Sequence, residues 1–110
     1  MKIKICGITN LEDANLCAEL GADFLGFINY EKSPRYIDVK SVEKIVKSLP
    51  KKVKIVGVFV NKNIDELFEI IDKNIFDVLQ IHGDEDTEYV QKIREYAKND
   101  VLIWKAIRVK

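Results

Sequence analysis

The apolar residues of this chain alternate between short runs of β-formers and longer segments with helical spacing. Five runs, at residues 3–6, 23–28, 53–60, 77–81 and 101–105, are apolar on both alternating faces, which is typical of strands in a parallel sheet covered on both sides. Between them, apolar residues recur three or four positions apart, as at Val39, Val42 and Val46, and this spacing indicates amphipathic helices. The sequence therefore predicts the order βαβαβαβαβ.

Residues that favour helix ends occur where this order requires them. Gly21 follows the first predicted helix, and Pro50 follows the second. The pattern shows no linker or domain boundary, so we expect a single α/β domain over residues 1–110. The candidate N-caps of the four helices are Thr9 or Asn10, Asp38, Asn63, and Asp84 or Asp86.

Strict βα alternation is compatible with a doubly wound open sheet or with a (β/α)8 barrel. A dinucleotide-binding sheet needs a glycine-rich turn after the first strand, whereas Gly7 is followed here by Ile8 and Thr9. The architectures that remain are a flavodoxin-like open sheet and part of a barrel. For a barrel, which usually has about 250 residues, the 110 residues would supply about half: four βα units and a fifth strand.

The composition argues against several classes of partner. The 18 basic residues balance the 18 acidic ones, so we expect neither nucleic acid nor an anionic membrane as the main partner. No apolar run approaches the roughly 20 residues of a membrane span, and the N-terminus lacks a signal-peptide pattern. These features predict a cytoplasmic location. The two cysteines show no zinc-site or disulfide pattern and are predicted as free thiols.

Polar residues follow the predicted strands, where parallel α/β folds place their binding and catalytic groups. Cys6 ends the first strand and is either a small buried hydrophobe or a reactive thiol, whose thiolate form a nearby cation favours. Cys17 lies within a helix, and we expect it to pack. Arg35 follows the second strand and is suited either to grip a carboxylate or phosphate or to pair with Glu31 or Asp38.

The fourth and fifth strands add further candidates. Gln80 is expected to point inward and to bind a ligand or a neighbouring backbone group. His82, the only histidine, is a candidate proton carrier or a hydrogen-bonded structural residue. Lys105 and Arg108 are candidate anion contacts or simple solubilising charges.

Five stretches of this chain occur in the order found in one enzyme family. From Lys2 to Val109 the chain resembles phosphoribosylanthranilate isomerase, the tryptophan-pathway isomerase, which is a (β/α)8 barrel. Two departures are visible: Asn29 stands where the family often has an aromatic or aliphatic residue, and LQIHG replaces the commoner VQLHG. The stretches that carry the resemblance are KICGIT, GFINYEKSPRYI, VGVFVN, LQIHGDE and KAIRV.

The resemblance implies an Amadori rearrangement without a metal or an organic cofactor. The substrate is N-(5'-phosphoribosyl)anthranilate, and the product is 1-(2-carboxyphenylamino)-1-deoxyribulose 5-phosphate. By the match of motifs, Cys6 is the general base that removes the C2′ proton of the ring-opened Schiff base. Arg35 binds the anthranilate carboxylate, while Gln80 and His82 are expected to shape the pocket.

The family's general acid, an aspartate on a later strand, and its phosphate-binding loops have no counterpart in these 110 residues. We therefore expect little or no activity from this chain alone. It is expected to be a truncated product, half of a split enzyme, or a half-barrel that pairs with another copy. With an open sheet edge, the isolated chain is expected to self-associate or to fold poorly. The alternative is a small flavodoxin-like module that binds an anionic ligand or a partner without catalysis.

Overall fold

The computed structural model describes residues 2–98 and 101–105, and it shows the predicted alternation of strands and helices. The predicted strand positions agree with the observed ones to within one residue at every end. No helix among the described residues is long and apolar enough to cross a membrane. The elements are β1 (Lys4–Cys6), α1 (Leu11–Glu19), β2 (Phe24–Asn29), α2 (Val39–Lys47), β3 (Lys54–Phe59), α3 (Ile64–Asp72), β4 (Val78–Ile81), α4 (Thr87–Ala97) and β5 (Leu102–Lys105).

The five strands form one parallel sheet in the order β1-β2-β3-β4-β5. A flavodoxin-like sheet has the order 2-1-3-4-5, because its chain reverses direction after the first crossover. Here every crossover advances by one strand in the same direction, as in a (β/α)8 barrel. The flavodoxin-like alternative is therefore wrong, and the barrel-type alternative is confirmed.

The helices pack on one face of the sheet, because successive right-handed crossovers in one direction all lie on the same side. The strand side chains on this face, among them Leu25, Phe27, Phe59 and Ile81, are buried together with apolar residues of all four helices. The prediction that both faces of the sheet are covered is therefore only partly confirmed. The opposite face bears Lys4 and Cys6, which are exposed.

This opposite face is strongly concave. On a flat sheet β1 and β5 would be four strand spacings apart, about 19 Å. Yet Lys4 Nζ lies 5.8 Å from the centroid of the Trp104 ring, and the rings of Phe24 and Trp104 have centroids 5.4 Å apart. Side chains from the two ends of the sheet thus meet across its inner face, which is the curvature of a partial barrel.

Each helix starts at a residue whose side chain caps it. The side-chain oxygens of Asn10, Asp38, Asn63 and Asp86 accept hydrogen bonds from backbone N–H groups in the first turn of α1 to α4. The open choices at the first and fourth helices are thus resolved in favour of Asn10 and Asp86. Gly21, with φ of +94°, follows α1 in the backbone conformation that favours glycine.

Two aspartates form equivalent hydrogen bonds to the backbone at the amino ends of the strands. Asp23 Oδ2 accepts a hydrogen bond from the backbone N–H of Ile3 at 2.7 Å. Asp77 Oδ2 accepts one from the backbone N–H of Ile55 at 2.8 Å. The unit β1–α1–β2 and the unit β3–α3–β4 therefore repeat one local arrangement, which fixes the register at the end of the sheet remote from the predicted site.

Candidate functional site

A cleft opens at the carboxyl ends of the first four strands, on the concave side of the sheet. Its volume is about 290 Å³, and it brings together three of the predicted site residues. A larger groove of about 430 Å³ lies on the surface of α4 between Thr87 and Glu95, but it contains none of the predicted residues. The cleft is lined by Cys6, Ile28, Tyr30, Ser33, Val58, Val60, Gln80 and His82.

Cys6 is exposed at the end of β1, which excludes the interpretation that it is a buried hydrophobe. Its side chain lies against Gly26 of β2: a Cβ atom placed on Gly26 would be 2.9 Å from Cys6 Sγ. The glycine thus provides the space that the thiol occupies. Cys17, by contrast, is half-buried and packs against the core as predicted.

Arg35 reaches back over the turn that follows Cys6. A Cβ atom placed on Gly7 would lie 2.6 Å from Arg35 Cδ and 3.0 Å from Nη1. Gly7 also has φ of +93°, which other residues rarely adopt. Among residues 2–98 and 101–105, Arg35 forms no salt bridge, so the predicted pairing with Glu31 or Asp38 is not observed. Its exposed guanidinium lies beside the segment that carries the thiol.

The loop that carries Arg35 is fixed by hydrogen bonds at its base. The backbone N–H of Ile37 donates to the carbonyl of Ile28 at 3.0 Å, so the loop returns alongside β2. Asn29 is buried, and its Nδ2 donates to the carbonyl of Ile37 at 3.0 Å. This bond satisfies the side-chain amide of Asn29 at a position where the resemblance leads us to expect an aromatic or aliphatic residue. Within the loop, Ser33 Oγ accepts from the backbone N–H of Arg35 at 3.1 Å.

Gln80 and His82 line the opposite side of the cleft on β4 and just after it. The Nζ of Lys4 donates a hydrogen bond to Gln80 Oε1 across the concave face. Gln80 Nε2 lies 3.4 Å from His82 Nδ1, and the backbone N–H of His82 donates to the carbonyl of Phe59 at 2.9 Å. The amide of Gln80 thus contacts two side chains among the described residues, rather than the neighbouring backbone group that the sequence suggests.

Lys4 is absent from the candidates that the sequence suggests, although it lies in the motif that contains Cys6. The two residues are two positions apart on one strand, so their side chains point to the same face. This alternation of side chains along the strand could have identified Lys4 as a candidate from the sequence. The partner of Lys4 could not be inferred, since Gln80 is 76 residues away in the chain.

A second polar cluster holds the loops after β3 and β4 together, and it includes Lys105. Glu85, whose side chain is only 2% exposed, accepts hydrogen bonds from the backbone N–H groups of Asn61 and Gly83, both at 2.7 Å. Lys105 Nζ donates to Glu85 Oε1 at 3.2 Å and to the carbonyl of Gly83 at 2.7 Å. Asn61 Oδ1 accepts from the backbone N–H of Asp84 at 2.8 Å.

The environment of Glu85 favours its charged form. Burial raises the pKa of Glu85, but hydrogen bonds from backbone N–H groups and from Lys105 outweigh burial, so that the pKa lies below its ordinary value. Lys105 is therefore engaged in an ion pair outside the cleft, and its role as an anion contact stays a prediction. Arg108 lies outside the described residues. Within residues 2–98 and 101–105 no group of three or more His, Cys, Asp or Glu side chains is arranged to hold a metal ion.

Comparison with known proteins agrees with this geometry. The family model of N-(5'-phosphoribosyl)anthranilate (PRA) isomerase matches residues 3–110. The isomerase of Trichodesmium erythraeum is 46% identical over 110 residues, covering 100% of this chain and 48% of the relative. That of Caldanaerobacter subterraneus is 41% identical over 110 residues, covering 100% of the chain and 51% of the relative.

Solved structures give the same result for the fold. A crystal structure of phosphoribosylanthranilate isomerase from Thermotoga maritima superimposes with a TM-score of 0.90 at 41% identity, covering 99% of this chain and 51% of that one. Another, solved in complex with reduced 1-(o-carboxyphenylamino)-1-deoxyribulose 5-phosphate, also has a TM-score of 0.90 at 41% identity. The match covers 100% of this chain and 55% of that one. The chain thus spans about half the length of the relatives it matches. It belongs to the N-(5'-phosphoribosyl)anthranilate isomerase family and folds as about half of a (β/α)8 barrel.

Proposed function

We propose that this chain supplies the general base and the carboxylate-binding group of phosphoribosylanthranilate isomerase, an enzyme of tryptophan biosynthesis. The observation that carries the proposal is the exposed thiol of Cys6 at a strand end, beside Arg35 and facing Gln80 and His82. Strand ends are where barrels of this kind place their reacting groups. The names of the relatives support the same reaction.

In the proposed reaction the ribose ring opens to a protonated Schiff base between C1′ and the anthranilate nitrogen. The Cys6 thiolate then takes the proton from C2′, and the electron pair of the broken C–H bond forms the C1′–C2′ double bond as the iminium nitrogen is neutralised. C1′ of the resulting enolamine then accepts a proton, while the C2′ hydroxyl loses its proton and becomes a ketone. No net oxidation occurs, and no cofactor is required. A thiolate is a sufficient base because the cationic nitrogen acidifies the C2′ proton.

Arg35 is suited to bind the anthranilate carboxylate. The guanidinium forms two parallel hydrogen bonds with a carboxylate, which fixes the orientation of an aromatic ring as well as its position. The Arg35 side chain lies against Gly7, the residue that follows the proposed base. When Arg35 binds the carboxylate, the reacting carbon of the substrate would therefore lie near Cys6. Such positioning supplies a large part of the rate enhancement in enzyme active sites.

The residues that the resemblance implies for the general acid and the phosphate-binding loops are not among these 110, so we propose that activity needs the complementary half of the barrel. A missing general acid typically costs about 10² to 10⁴ in rate. We propose that the chain either pairs with such a half or self-associates through the exposed edge and inner face of its sheet. On the edge strand β5, for example, Leu102 is 61% exposed. A sharp, monomeric two-state unfolding transition in dilute solution would contradict self-association.

The cytoplasm is the compartment that we assign to this activity. The proposed base is a free thiol, and a second free thiol, Cys17, lies in the same chain. A reducing compartment keeps such thiols from forming disulfides.

The test is complementation of a tryptophan auxotroph, with the 110-residue chain alone and with the same chain joined to the C-terminal half of a relative. We expect growth only with the joined protein. In that protein Cys6→Ala should lower kcat by about 10² to 10⁴, whereas Cys17→Ala, the matched control, should leave kcat unchanged. Full activity after Cys6→Ala would refute the role of the base.

A further inference from the structure

The contacts of Gln80 determine which of its two amide groups faces His82. Lys4 carries an ammonium group, which only donates hydrogen bonds, and its Nζ contacts Gln80 Oε1. The amide oxygen is thereby occupied on the side of Lys4, so the NH₂ group must face the other way. It does so, with Gln80 Nε2 3.4 Å from Nδ1 of His82.

The NH₂ group of Gln80 faces the imidazole ring of His82. An NH₂ group donates and cannot accept, so the ring nitrogen that faces it must carry a lone pair. In neutral histidine one nitrogen accepts and the other carries the proton. This contact fits Nδ1 as the acceptor and Nε2 as the nitrogen that carries the hydrogen. Within the part of the chain that the structure describes, Nε2 forms no hydrogen bond of its own, and His82 is an exposed residue of the cleft wall.

We propose that Lys4 and Gln80 are positioning residues that hold His82 as its Nε2–H tautomer, so that the imidazole offers the ligand in the cleft a hydrogen-bond donor. The ligand group that this donor fits is an oxygen acceptor, such as a sugar hydroxyl or a carboxylate of the substrate. The catalytic consequence rests on the proposed function. The tautomer itself does not, and it is measured without any substrate.

The chain is well suited to this measurement because it contains one histidine. Selective ¹⁵N labelling of histidine then gives the two ring nitrogens of His82 alone, in solution or, for a large assembly, in the solid state. The pH is raised until the two nitrogen shifts no longer change, so that only the neutral ring is observed. The nitrogen shifts and their couplings to the ring hydrogens show which nitrogen is protonated. We expect the proton on Nε2.

The decisive variant is Gln80→Glu. It keeps an acceptor for Lys4 but replaces the NH₂ donor by an acceptor oxygen, so His82 must turn its proton toward it. We expect the major tautomer to change from Nε2–H to Nδ1–H. An unchanged tautomer in Gln80→Glu, or a proton on Nδ1 in the unmodified chain, would overturn the proposal.

The part played by Lys4 is tested separately. Lys4→Met removes the donor that fixes the amide oxygen, and we expect a mixture of the two tautomers, whereas Lys4→Arg should restore the single one. Lys2→Met is the matched control, because Lys2 Nζ lies 5.7 Å from the centroid of the Phe24 ring and is not among the hydrogen-bond partners of Gln80 in the described residues. A single Nε2–H tautomer in Lys4→Met would show that Lys4 does not position Gln80.

Discussion

Replacing Gly7 by alanine tests how the turn after β1 places Arg35. The added methyl group would lie 2.6 Å from Arg35 Cδ, well inside van der Waals contact, and it would sit on a residue with φ of +93°. A left-handed backbone costs a residue with a side chain about 1–2 kcal/mol. Because Arg35 is exposed, its side chain can swing away at little further cost.

Gly21→Ala is the matched control for this substitution. Gly21 has φ of +94°, but no atom lies within 4 Å of a Cβ placed on it. Both variants should therefore lose about 1–2 kcal/mol of unfolding free energy. For a small domain with m of about 1–3 kcal/mol/M in urea, this shifts the midpoint by about 0.3–2 M. The protomer concentration must be held fixed, since association changes apparent stability.

The two variants should differ in their response to anthranilate. Gly7→Ala displaces the guanidinium, so the NMR signal of Arg35 Nε–H should no longer shift when anthranilate is added. Gly21→Ala should show the same shift as the unmodified chain. An intact anthranilate response in Gly7→Ala, or unfolding free energies several kcal/mol apart in the two variants, would refute this account of the Gly7–Arg35 contact.

Three further results are expected. The folded-state pKa of Glu85 is lowered, so the stability that Glu85 contributes is present above its unfolded pKa and is lost as the pH falls through the lower, folded value. Urea midpoints measured across this acid range should therefore decline less in Glu85→Gln than in Glu88→Gln, the control at an exposed glutamate. Burial, followed by the charge of Glu85, raises the pKa of Tyr89 to about 12, so ultraviolet titration should lose its most alkaline phenol step in Tyr89→Phe. Iodoacetamide should alkylate exposed Cys6 faster than half-buried Cys17, as read by mass spectrometry; equal rates would contradict the exposure seen here.

The strands and helices were predictable because their signals are local. The caps at Asn10, Asp38, Asn63 and Asp86 follow from side chains that bond to backbone within three residues. The strand order was not predictable in this way. A sheet that always advances and a sheet that reverses have the same local periodicity, and they differ only in how the helices pack.

The candidate site was predictable where it depends on strand ends. Cys6, Gln80 and His82 all line one cleft, because parallel strands bring their carboxyl ends to one edge of the sheet. Lys4 and Glu85 were not predicted as site residues, since their hydrogen bonds are formed with partners from other strands and loops. The burial of Glu85 depends on the loop after β3, whose Asn61 N–H donates to its carboxylate, and the sequence does not show that the two loops meet.

The bond from Lys4 to Gln80 also has a consequence for the order of folding. Every strand pairing in the sheet joins consecutive strands, whereas this bond joins residues 76 positions apart. Local pairings cost little loop-closure entropy and can form one after another. The bond across the concave face can form only after β4 has joined the sheet. Substitutions at Lys4 should therefore accelerate unfolding while leaving the rate of folding almost unchanged.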